Sequence, residues 1–282
     1  MSTRSPLRRL TALFGWTRHS YYILSGFLLV CGLIVYIWWP LAKDVLAYID
    51  WSGPWWRTFD WLLVGIWLAM SLLIMAKANL RSDARIVFVG FVGGLVIESW
   101  GTQTNLWFYY TAERPPLWII PAWPIAALAT DRLIRLLNHG VRKLAKGREN
   151  FRVLSRSFTP VKVLYWGIFG GFSILMLIFV APTFDKSLTL MAILLCMLLI
   201  LSPTDYRLAA LTFLAGAGLG YFLELWGTTR ECWTYYTRQT PPLFAVLAHG
   251  MASVAFWRAN LILGQLYRKV KIIQGIREKG EG

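Results

Sequence analysis

The chain has 282 residues, of which 57% are hydrophobic and only 15% are charged, whereas an average soluble domain has about 25% charged residues. In a soluble protein the net charge of +15 would favour nucleic acid as a partner, but here the basic residues cluster in short segments between apolar runs. Membrane topology and anionic lipid headgroups at the cytoplasmic face explain such clusters better, so we expect an integral membrane protein that binds no nucleic acid.

The first predicted element is a long apolar run that begins at Tyr21, after the basic residues Arg4, Arg8, Arg9 and Arg18. We interpret it as an uncleaved first span rather than a signal peptide, because it is too long and lacks a small-residue cleavage site. The chain contains eight such runs, each with close to the roughly 20 residues that cross a bilayer. In chain order they are Tyr21–Leu41, Phe59–Ala78, Ala84–Thr102, Leu117–Leu137, Val161–Pro182, Ser187–Ser202, Leu208–Thr228 and Leu243–Leu266.

The connections between these runs alternate in charge. The N-terminal segment, the connections after the second, fourth and sixth runs and the C-terminal tail are basic, whereas the other connections hold few and mixed charges. Because basic loops remain in the cytoplasm, we expect both termini to be cytoplasmic in a multi-pass protein of a bacterial-type inner or plasma membrane. The predicted fold class is all-α integral membrane, with eight transmembrane helices as two like-oriented four-helix repeats, which disfavours an inverted-repeat transporter.

A block of about twenty residues occurs twice, starting near the end of the third run and again near the end of the seventh. The first copy begins with Glu98-Ser-Trp100-Gly101-Thr102, and the block returns 126 residues later from Glu224. Such a gapless repeat indicates duplication of a whole unit. It divides the chain into a first four-span repeat with a basic N-terminal segment at 1–140, a basic cytoplasmic linker at 141–159 and a second four-span repeat with a basic tail at 160–282.

Glu98 and Glu224 are the acidic residues most deeply embedded in apolar sequence, and an ionisable group in such a position is a functional candidate. Small residues, which allow helices to approach closely, surround both, at Gly90, Gly93, Gly94, Gly101, Gly216, Gly218, Gly220 and Gly227. We therefore expect both carboxyl groups to lie in a seam between helices, facing each other or an internal cavity rather than lipid. Burial disfavours the charged form of a carboxyl group, and a protonated glutamate is the form that acts as a general acid.

The aromatic residues of the repeat are predicted to line a substrate site next to the glutamates. The set comprises Trp100, Trp107, Tyr109, Tyr110, Trp226, Trp233, Tyr235 and Tyr236. Electron-rich ring faces stabilise cations, and a small-molecule site is usually apolar with few polar groups. The alternative is that these rings form an ordinary aromatic belt at the membrane interface, with the Pro-Pro pair of each copy starting the next helix.

The two halves differ in the span that follows the block, where His249 replaces Trp123. His249 is predicted to lie on the same side of the membrane as Glu224. It is either a hydrogen-bonded structural residue or a base and proton relay for Glu224. In the second case we expect Glu224 to be the principal acid and Glu98 to be mainly structural.

Charged residues near the predicted cytoplasmic ends of the spans have structural explanations. Arg132 and Arg258, also 126 residues apart, are expected to extend their guanidinium groups to the headgroups. Asp83-Ala-Arg85 and Asp205-Tyr-Arg207 are expected to cap helices and to form local ion pairs. No metal, nucleotide or serine-hydrolase motif is present, so the sequence predicts no metal site and no cofactor.

The first copy of the block resembles a known family. Glu98-x-x-Gly101-x-x-Thr104, then Trp107-x-Tyr109 and Ile120-Pro121-Ala122-Trp123, is similar to the pattern around the acid of membrane carotenoid hydratases and, more distantly, of lycopene cyclase domain proteins. The likeness covers about thirty residues per repeat, and Asn105-Leu106 and Trp107-Phe108 stand where that family has glycines. The resemblance implies acid-initiated chemistry on an isoprenoid double bond without a redox cofactor.

The predicted function is an integral-membrane enzyme that acts on a lipid-soluble isoprenoid, carotenoid-like or terpenoid-like, by protonating an alkene or epoxide. It would be a hydratase or a cyclase, with Glu98, Glu224 and His249 as candidate catalytic residues. The alternative is a non-enzymatic membrane carrier, transporter or accessory subunit with a pseudosymmetric glutamate site. The sequence leaves the substrate and the oligomeric state open.

Overall fold

The computed structural model is all-helical, with 77% helix, and describes residues 14–146, 158–201 and 205–280. The all-α prediction is confirmed. The described residues form nine α-helices: α1 (Arg18–Ile37), α2 (Trp39–Ala47), α3 (Trp61–Met75), α4 (Leu80–Gln103), α5 (Ala122–Lys146), α6 (Phe158–Val180), α7 (Ser187–Ile200), α8 (Tyr206–Thr229) and α9 (Leu243–Gly280). Two three-residue strands, β1 (Trp107–Tyr109) and β2 (Trp233–Tyr235), follow α4 and α8.

Four helices are long and apolar enough to cross a membrane, which marks the chain as membrane-associated. They are Arg18–Ile37, Pro160–Thr183, Tyr206–Thr229 and Leu243–Ile272. The apolar helices α3 and α7 have 15 and 14 residues, and at ~1.5 Å per residue they are shorter than a ~30 Å hydrocarbon layer. Charged residues in α4 and α5 lower the hydropathy of the remaining two predicted spans.

Each of the eight predicted apolar runs coincides with a helix, but prolines move several helix ends. α1 ends at Ile37 rather than Leu41, because Pro40 cannot continue a helix and instead occupies the first turn of α2. α5 begins at Ala122 rather than Leu117, since a helix from Leu117 would place Pro121 where a backbone N–H is needed. The second copy has Leu247 at that position, and α9 begins at Leu243 as predicted.

The predicted linker at 141–159 is helical at both of its ends. α5 continues to Lys146, and α6 begins at Phe158. Residues 147–157 lie outside the described residues, as do the basic N-terminal segment 1–13, Ser202 at the end of the sixth predicted run and the last two residues.

The charged residues at the starts of α4 and α8 differ from expectation in one respect. Capping is confirmed, because Asp83 accepts from the Asn79 N–H at 2.8 Å and Asp205 accepts from the Leu208 N–H at 2.9 Å. The ion pair of Asp83 is not local, however, since its carboxylate lies 2.6 Å from Arg132 of α5, and both side chains are 2% exposed. The prediction that Arg132 extends to the headgroups is therefore wrong: its guanidinium is buried between carboxylates.

Helices α4, α5, α8 and α9 form the centre of the molecule. α4 packs on α5 and α8 packs on α9, while α5 also contacts α8 and α9 also contacts α4. Glycines permit this close packing: a Cβ atom at Gly90 would lie 2.8 Å from the Pro124 backbone, and one at Gly216 would lie 2.2 Å from the Ser253 hydroxyl. Gly218, which was also assigned to a helix seam, faces open space, so that assignment is wrong.

Candidate functional site

The two copies of the repeated block meet in a two-stranded antiparallel ribbon. β1 pairs with β2 in the register Trp107 with Tyr235, Phe108 with Thr234 and Tyr109 with Trp233. Because Phe108 and Thr234 are equivalent positions of the two copies, a local two-fold axis passes through the middle of the ribbon. Each copy therefore places its own Trp and Tyr opposite the Tyr and Trp of the other.

Helix endings turn the chain back so that each strand lies over its own glutamate. Asn105 follows α4 with a φ of +61°, and Glu231 follows α8 with a φ of +54°. A residue in the left-handed region is a common way to end a helix. The next N–H groups, those of Leu106 and Cys232, then bond to the carbonyls of Gly101 and Gly227, both at 2.9 Å.

Glu98 is 3% exposed and accepts three hydrogen bonds from residues of its own half. The Trp107 indole donates to Oε2 at 3.0 Å, and the Tyr109 hydroxyl donates to Oε1 at 2.8 Å. The Trp123 indole, from the start of α5, also donates to Oε1 at 3.1 Å. Three donors compensate for removing this carboxyl group from water.

Glu224 is 2% exposed and has the equivalent environment with one change. The Trp233 indole donates to Oε2 at 3.0 Å, and the Tyr235 hydroxyl donates to Oε1 at 2.8 Å. The third partner is His249, whose Nε2 lies 2.9 Å from Oε1. The structure thus brings together Glu224 and His249, the pair that the sequence proposed as acid and relay.

Glycines make room for the rings that bind the glutamates. A Cβ atom at Gly101 would lie 1.8 Å from the Trp107 ring, and one at Gly227 would lie 2.0 Å from the Trp233 ring. Gly94 faces Trp123 in the same way, and Gly220 faces His249, where a Cβ atom would come within 2.4 Å of the imidazole side chain. These glycines therefore leave space for the rings that contact the glutamates, and they also allow the helices to pack closely.

The six rings that contact the two glutamates form three pairs across the local two-fold axis. Ring centroids are 5.9 Å apart for Trp107 and Tyr235, and 6.1 Å apart for Tyr109 and Trp233. Trp123 stacks on His249 at 5.9 Å with an interplanar angle of 19°. Each pair supplies one partner to each glutamate, so the two carboxyl groups and six rings are one unit, which we call the paired carboxylate cluster.

The other four predicted aromatic residues do not bind the glutamates. The Trp100 indole donates to Thr189 at 3.2 Å and the Trp226 indole donates to Asp60 at 2.9 Å. The Tyr110 hydroxyl donates to the Ile37 carbonyl, and the Tyr236 hydroxyl donates to the Phe179 carbonyl at 2.8 Å. Tyr110 and Tyr236 each follow the last residue of a strand, and their hydroxyl groups therefore have other partners than those of Tyr109 and Tyr235.

Two features of the site were not predicted. Trp123 was compared with His249 but not assigned as a partner of Glu98; the 126-residue correspondence was the signal that could have identified it. The second feature is a contact between the halves, in which Asp60 accepts from Arg230 Nε at 3.0 Å and Nη2 at 3.1 Å. Trp226 donates to the same carboxylate, so the end of α8 is fixed to the start of α3.

A large, mostly apolar cleft borders the cluster. Its volume is about 1690 Å³, and helices of both halves line it. The polar groups that reach it include Glu98, Glu224 and His249, and the rings of Trp107 and Trp233 lie beside them. Trp100 and Trp226 also line this cleft, so the structure places these two of the outer aromatic residues at the cavity wall.

The hydrogen-bond partners distinguish the two glutamates chemically. Both oxygens of Glu98 face an indole N–H, which can only donate, so its carboxyl group is arranged as an acceptor. Oε1 of Glu224 faces only Tyr235 and His249, each of which can donate or accept. The donor and acceptor roles around Oε1 of Glu224 are therefore open, whereas those of the indoles around Glu98 are fixed.

The tyrosines in the cluster act as hydrogen-bond donors. Burial raises the pKa of Tyr109 well above its ordinary value of 10, and the negative charge of Glu98 raises it further. Burial and Glu224 act in the same way on the pKa of Tyr235. Both phenols therefore keep their protons at any physiological pH.

Within the described ranges, no group of three or more His, Cys, Asp or Glu side chains is arranged to hold a metal ion. Comparison with models of known protein families, with curated protein sequences and with solved structures finds no match to the chain. The assignment of function therefore depends on the geometry of the site.

Proposed function

We propose that the protein is an integral-membrane enzyme that protonates a lipid-soluble isoprenoid, with Glu224 as the acid. The observation that carries the proposal is the position of the Glu224 and His249 pair, 2.9 Å apart, at the wall of an apolar cleft of about 1690 Å³. A buried acid with an adjacent exchangeable base is the arrangement that general acid catalysis requires.

The cleft suits a long apolar substrate. Sites for drug-sized ligands measure ~300–1,000 Å³, and this cleft exceeds that range at about 1690 Å³. Next to Glu224, the indole rings of Trp107 and Trp233 offer electron-rich faces. Such faces stabilise a cation by charge–quadrupole attraction, so they suit the carbocation that forms when a double bond is protonated.

The chemistry needs no redox step. Glu224 gives its proton to one alkene carbon, the π electrons form the new C–H bond, and the other carbon becomes a cation. In a hydratase, water adds to that cation and a proton is released. In a cyclase, a second double bond of the same molecule adds and a C–H proton is lost. The resemblance to carotenoid hydratases and lycopene cyclase domain proteins agrees with either outcome.

The proposed membrane arrangement has eight embedded helical segments in two like-oriented halves, with both termini in the cytoplasm. Two observations support it. α5 and α9 both run from the paired carboxylate cluster towards exposed basic residues, among them Arg135 and Arg268. In addition, many large apolar side chains are exposed, such as Leu29, which is 76% exposed.

A non-enzymatic carrier is the second candidate, and the equivalence of the two carboxylate sites favours it. Two of the three partners are the same type in both halves, as expected for a symmetric binding site. A carrier would retain its ligand unchanged and would depend on both glutamates to a similar degree.

Mass spectrometry of the isoprenoid fraction tests the proposal. Lipids are extracted from cells that express the wild type, Glu224→Gln or Glu98→Gln at equal levels of folded protein. We expect a product that is heavier by one water, or an isomer of unchanged mass, in the wild type and not in Glu224→Gln. Retention of an unaltered lipid, with equal losses in both variants, would show that the protein is a carrier.

A further inference from the structure

A second, small cavity lies on the local axis between α5 and α9, next to the Trp123 and His249 rings. Its volume is about 60 Å³. Six positions of α5 and the six equivalent positions of α9, each 126 residues later, line it level by level. In order the levels are Trp123 with His249, Ala126 with Ala252, Ala127 with Ser253, Thr130 with Phe256, Asp131 with Trp257, and Ile134 with Asn260.

Polar side chains occupy this lining in a regular way. Five of the six levels have one polar or titratable residue, contributed by one helix or the other: His249, Ser253, Thr130, Asp131 and Asn260. We call this set the axial column. It runs through a core that is otherwise apolar, where unpaired polar groups are costly.

The axial column has room and need for water. Asn260 Oδ1 is buried, and within residues 14–146, 158–201 and 205–280 it has no hydrogen-bond partner. One buried water needs a cavity of ~10–15 Å³ or more, and this cavity of about 60 Å³ therefore has room for water. Buried water usually bonds to polar groups that lack protein partners, and Asn260 Oδ1 is such a group.

The two ends of the column have different surroundings. At one end His249 faces Glu224 of α8 and stacks on Trp123, which in turn donates to Glu98 of α4. Near the other end, one helical turn before Ile134 and Asn260, the Asp131 side chain is 27% exposed, with Arg132 at 2.5 Å and Arg135 at 2.9 Å. Eight residues of helix separate Trp123 from Asp131, which is ~12 Å.

We propose that the axial column conducts protons between the Glu224 and His249 pair and the aqueous phase at the basic end of the molecule, with Asp131 and Asn260 at the entrance. Over this ~12 Å, the hydroxyl, carboxylate, amide and imidazole groups of the lining and bound water would pass the proton on, one hydrogen bond at a time. The route rests on the proposed function, because it lets Glu224 recover a proton that leaves with the substrate or its product.

Hydrogen–deuterium exchange tests the route without any substrate. Purified protein in lipid nanodiscs is transferred from H2O to D2O, and exchange at the Glu224 and His249 pair is followed by infrared bands that are absent in Glu224→Gln. We expect Asp131→Asn and Thr130→Val to slow this exchange by about tenfold or more. Asp205→Asn, which removes a carboxylate that lies outside the column, is the control and should exchange as fast as the wild type.

Asn260→Leu provides an independent variant, because it fills the column without touching the ion pairs of Asp131. If it exchanges as fast as the wild type, or if Asp131→Asn and Thr130→Val do, the axial column is not the route. The same infrared result stands whether or not an isoprenoid product is found, so failure of the route and failure of the proposed enzyme activity are distinguishable.

Discussion

At the scale of single residues, Glu98 and Glu224 differ in one partner, which is Trp123 for Glu98 and His249 for Glu224. Because of this difference, we expect a substitution of Glu98 to affect mainly stability and a substitution of Glu224 to affect mainly activity. Each oxygen of Glu98 accepts from an indole that can only donate. A glutamine at this position must therefore place its NH2 group against one of the two indoles, whichever way the amide is oriented. A glutamine at position 224 can instead direct its NH2 group towards Tyr235 and His249, which accept.

We predict opposite effects for the two Glu→Gln variants. Glu98→Gln should lower the free energy of unfolding by ~1–3 kcal/mol, the cost of an unpaired buried donor, and should retain most activity per folded molecule. Glu224→Gln should be nearly as stable as the wild type and lose on the order of 100-fold or more in product formation. Thermal unfolding in detergent and product analysis by mass spectrometry measure the two effects, and the reverse pattern would show that Glu98 is the acid.

The glycines that seat the rings give a second prediction at this scale. Gly220→Ala should destabilise the protein strongly, because its Cβ atom would lie 2.4 Å from the His249 side chain. Gly218→Ala, two residues away on the same helix, has open space and should leave stability unchanged or slightly raised, since alanine is the better helix former. The melting temperatures of the two variants are compared. Equal values would mean that His249 does not pack against Gly220.

Most of the glutamates' partners were predictable from the sequence, because repetition at a fixed spacing identified Trp107, Tyr109 and their counterparts together. Trp123 was harder to identify, since a lone tryptophan at a helix start is typical of the membrane interface. Tyr110 and Tyr236 were assigned to the site as members of the repeated Trp-x-Tyr-Tyr-Thr element. In the structure each lies one residue beyond its strand and donates to a backbone carbonyl rather than to a glutamate.

At the scale of elements, a buried ion pair joins the start of α4 to the middle of α5. Asp83 caps α4 and also pairs with Arg132 of α5, whereas Asp205 only caps α8. Variants of the two aspartates can therefore distinguish the contribution of a helix cap to stability from that of a buried ion pair.

We expect Asp83→Asn to be much more destabilising than Asp205→Asn. Asp83→Asn removes one of the two carboxylates beside the buried Arg132 guanidinium and leaves Asp131 as its remaining partner. Loss of one partner from a buried charged group costs ~1–3 kcal/mol or more, whereas asparagine replaces aspartate well as a helix cap, with a change of ~0.5 kcal/mol or less. Chemical denaturation of the two variants provides the comparison. Similar losses would mean that the Asp83 and Arg132 pair contributes little beyond capping.

Helix existence followed from hydropathy, but helix ends depended on proline positions. The run at Leu117–Leu137 looked continuous, and only the need for a backbone N–H at Pro121 moved its start to Ala122. The buried position of Arg132 could not be predicted for another reason. Its partner Asp83 lies 49 residues away, and nothing in the local sequence distinguishes a buried arginine from one that reaches the headgroups.

At the scale of the whole molecule, the proposed topology places the two-stranded ribbon and the C-terminal part of α9 on opposite sides of the membrane. Cysteine labelling in a variant without Cys31, Cys196 and Cys232 tests it. We expect Ala112→Cys, after β1, to react with a membrane-impermeant maleimide from outside intact cells. Lys271→Cys, at the exposed end of α9, should react only after permeabilisation. Labelling of both positions from the same side would contradict the topology.

The axial column also bears on the history of the chain. In a symmetric dimer of identical subunits, every residue next to the two-fold axis meets its own copy. An aspartate at the level of Asp131 would then face a second aspartate, and a histidine at the level of His249 would face a second histidine. Joining the two halves in one polypeptide removes that constraint, so each level can hold a single polar group opposite an apolar one. The asymmetric lining seen here therefore requires halves of different sequence, so under a duplication its polar residues would date from the divergence of the two copies.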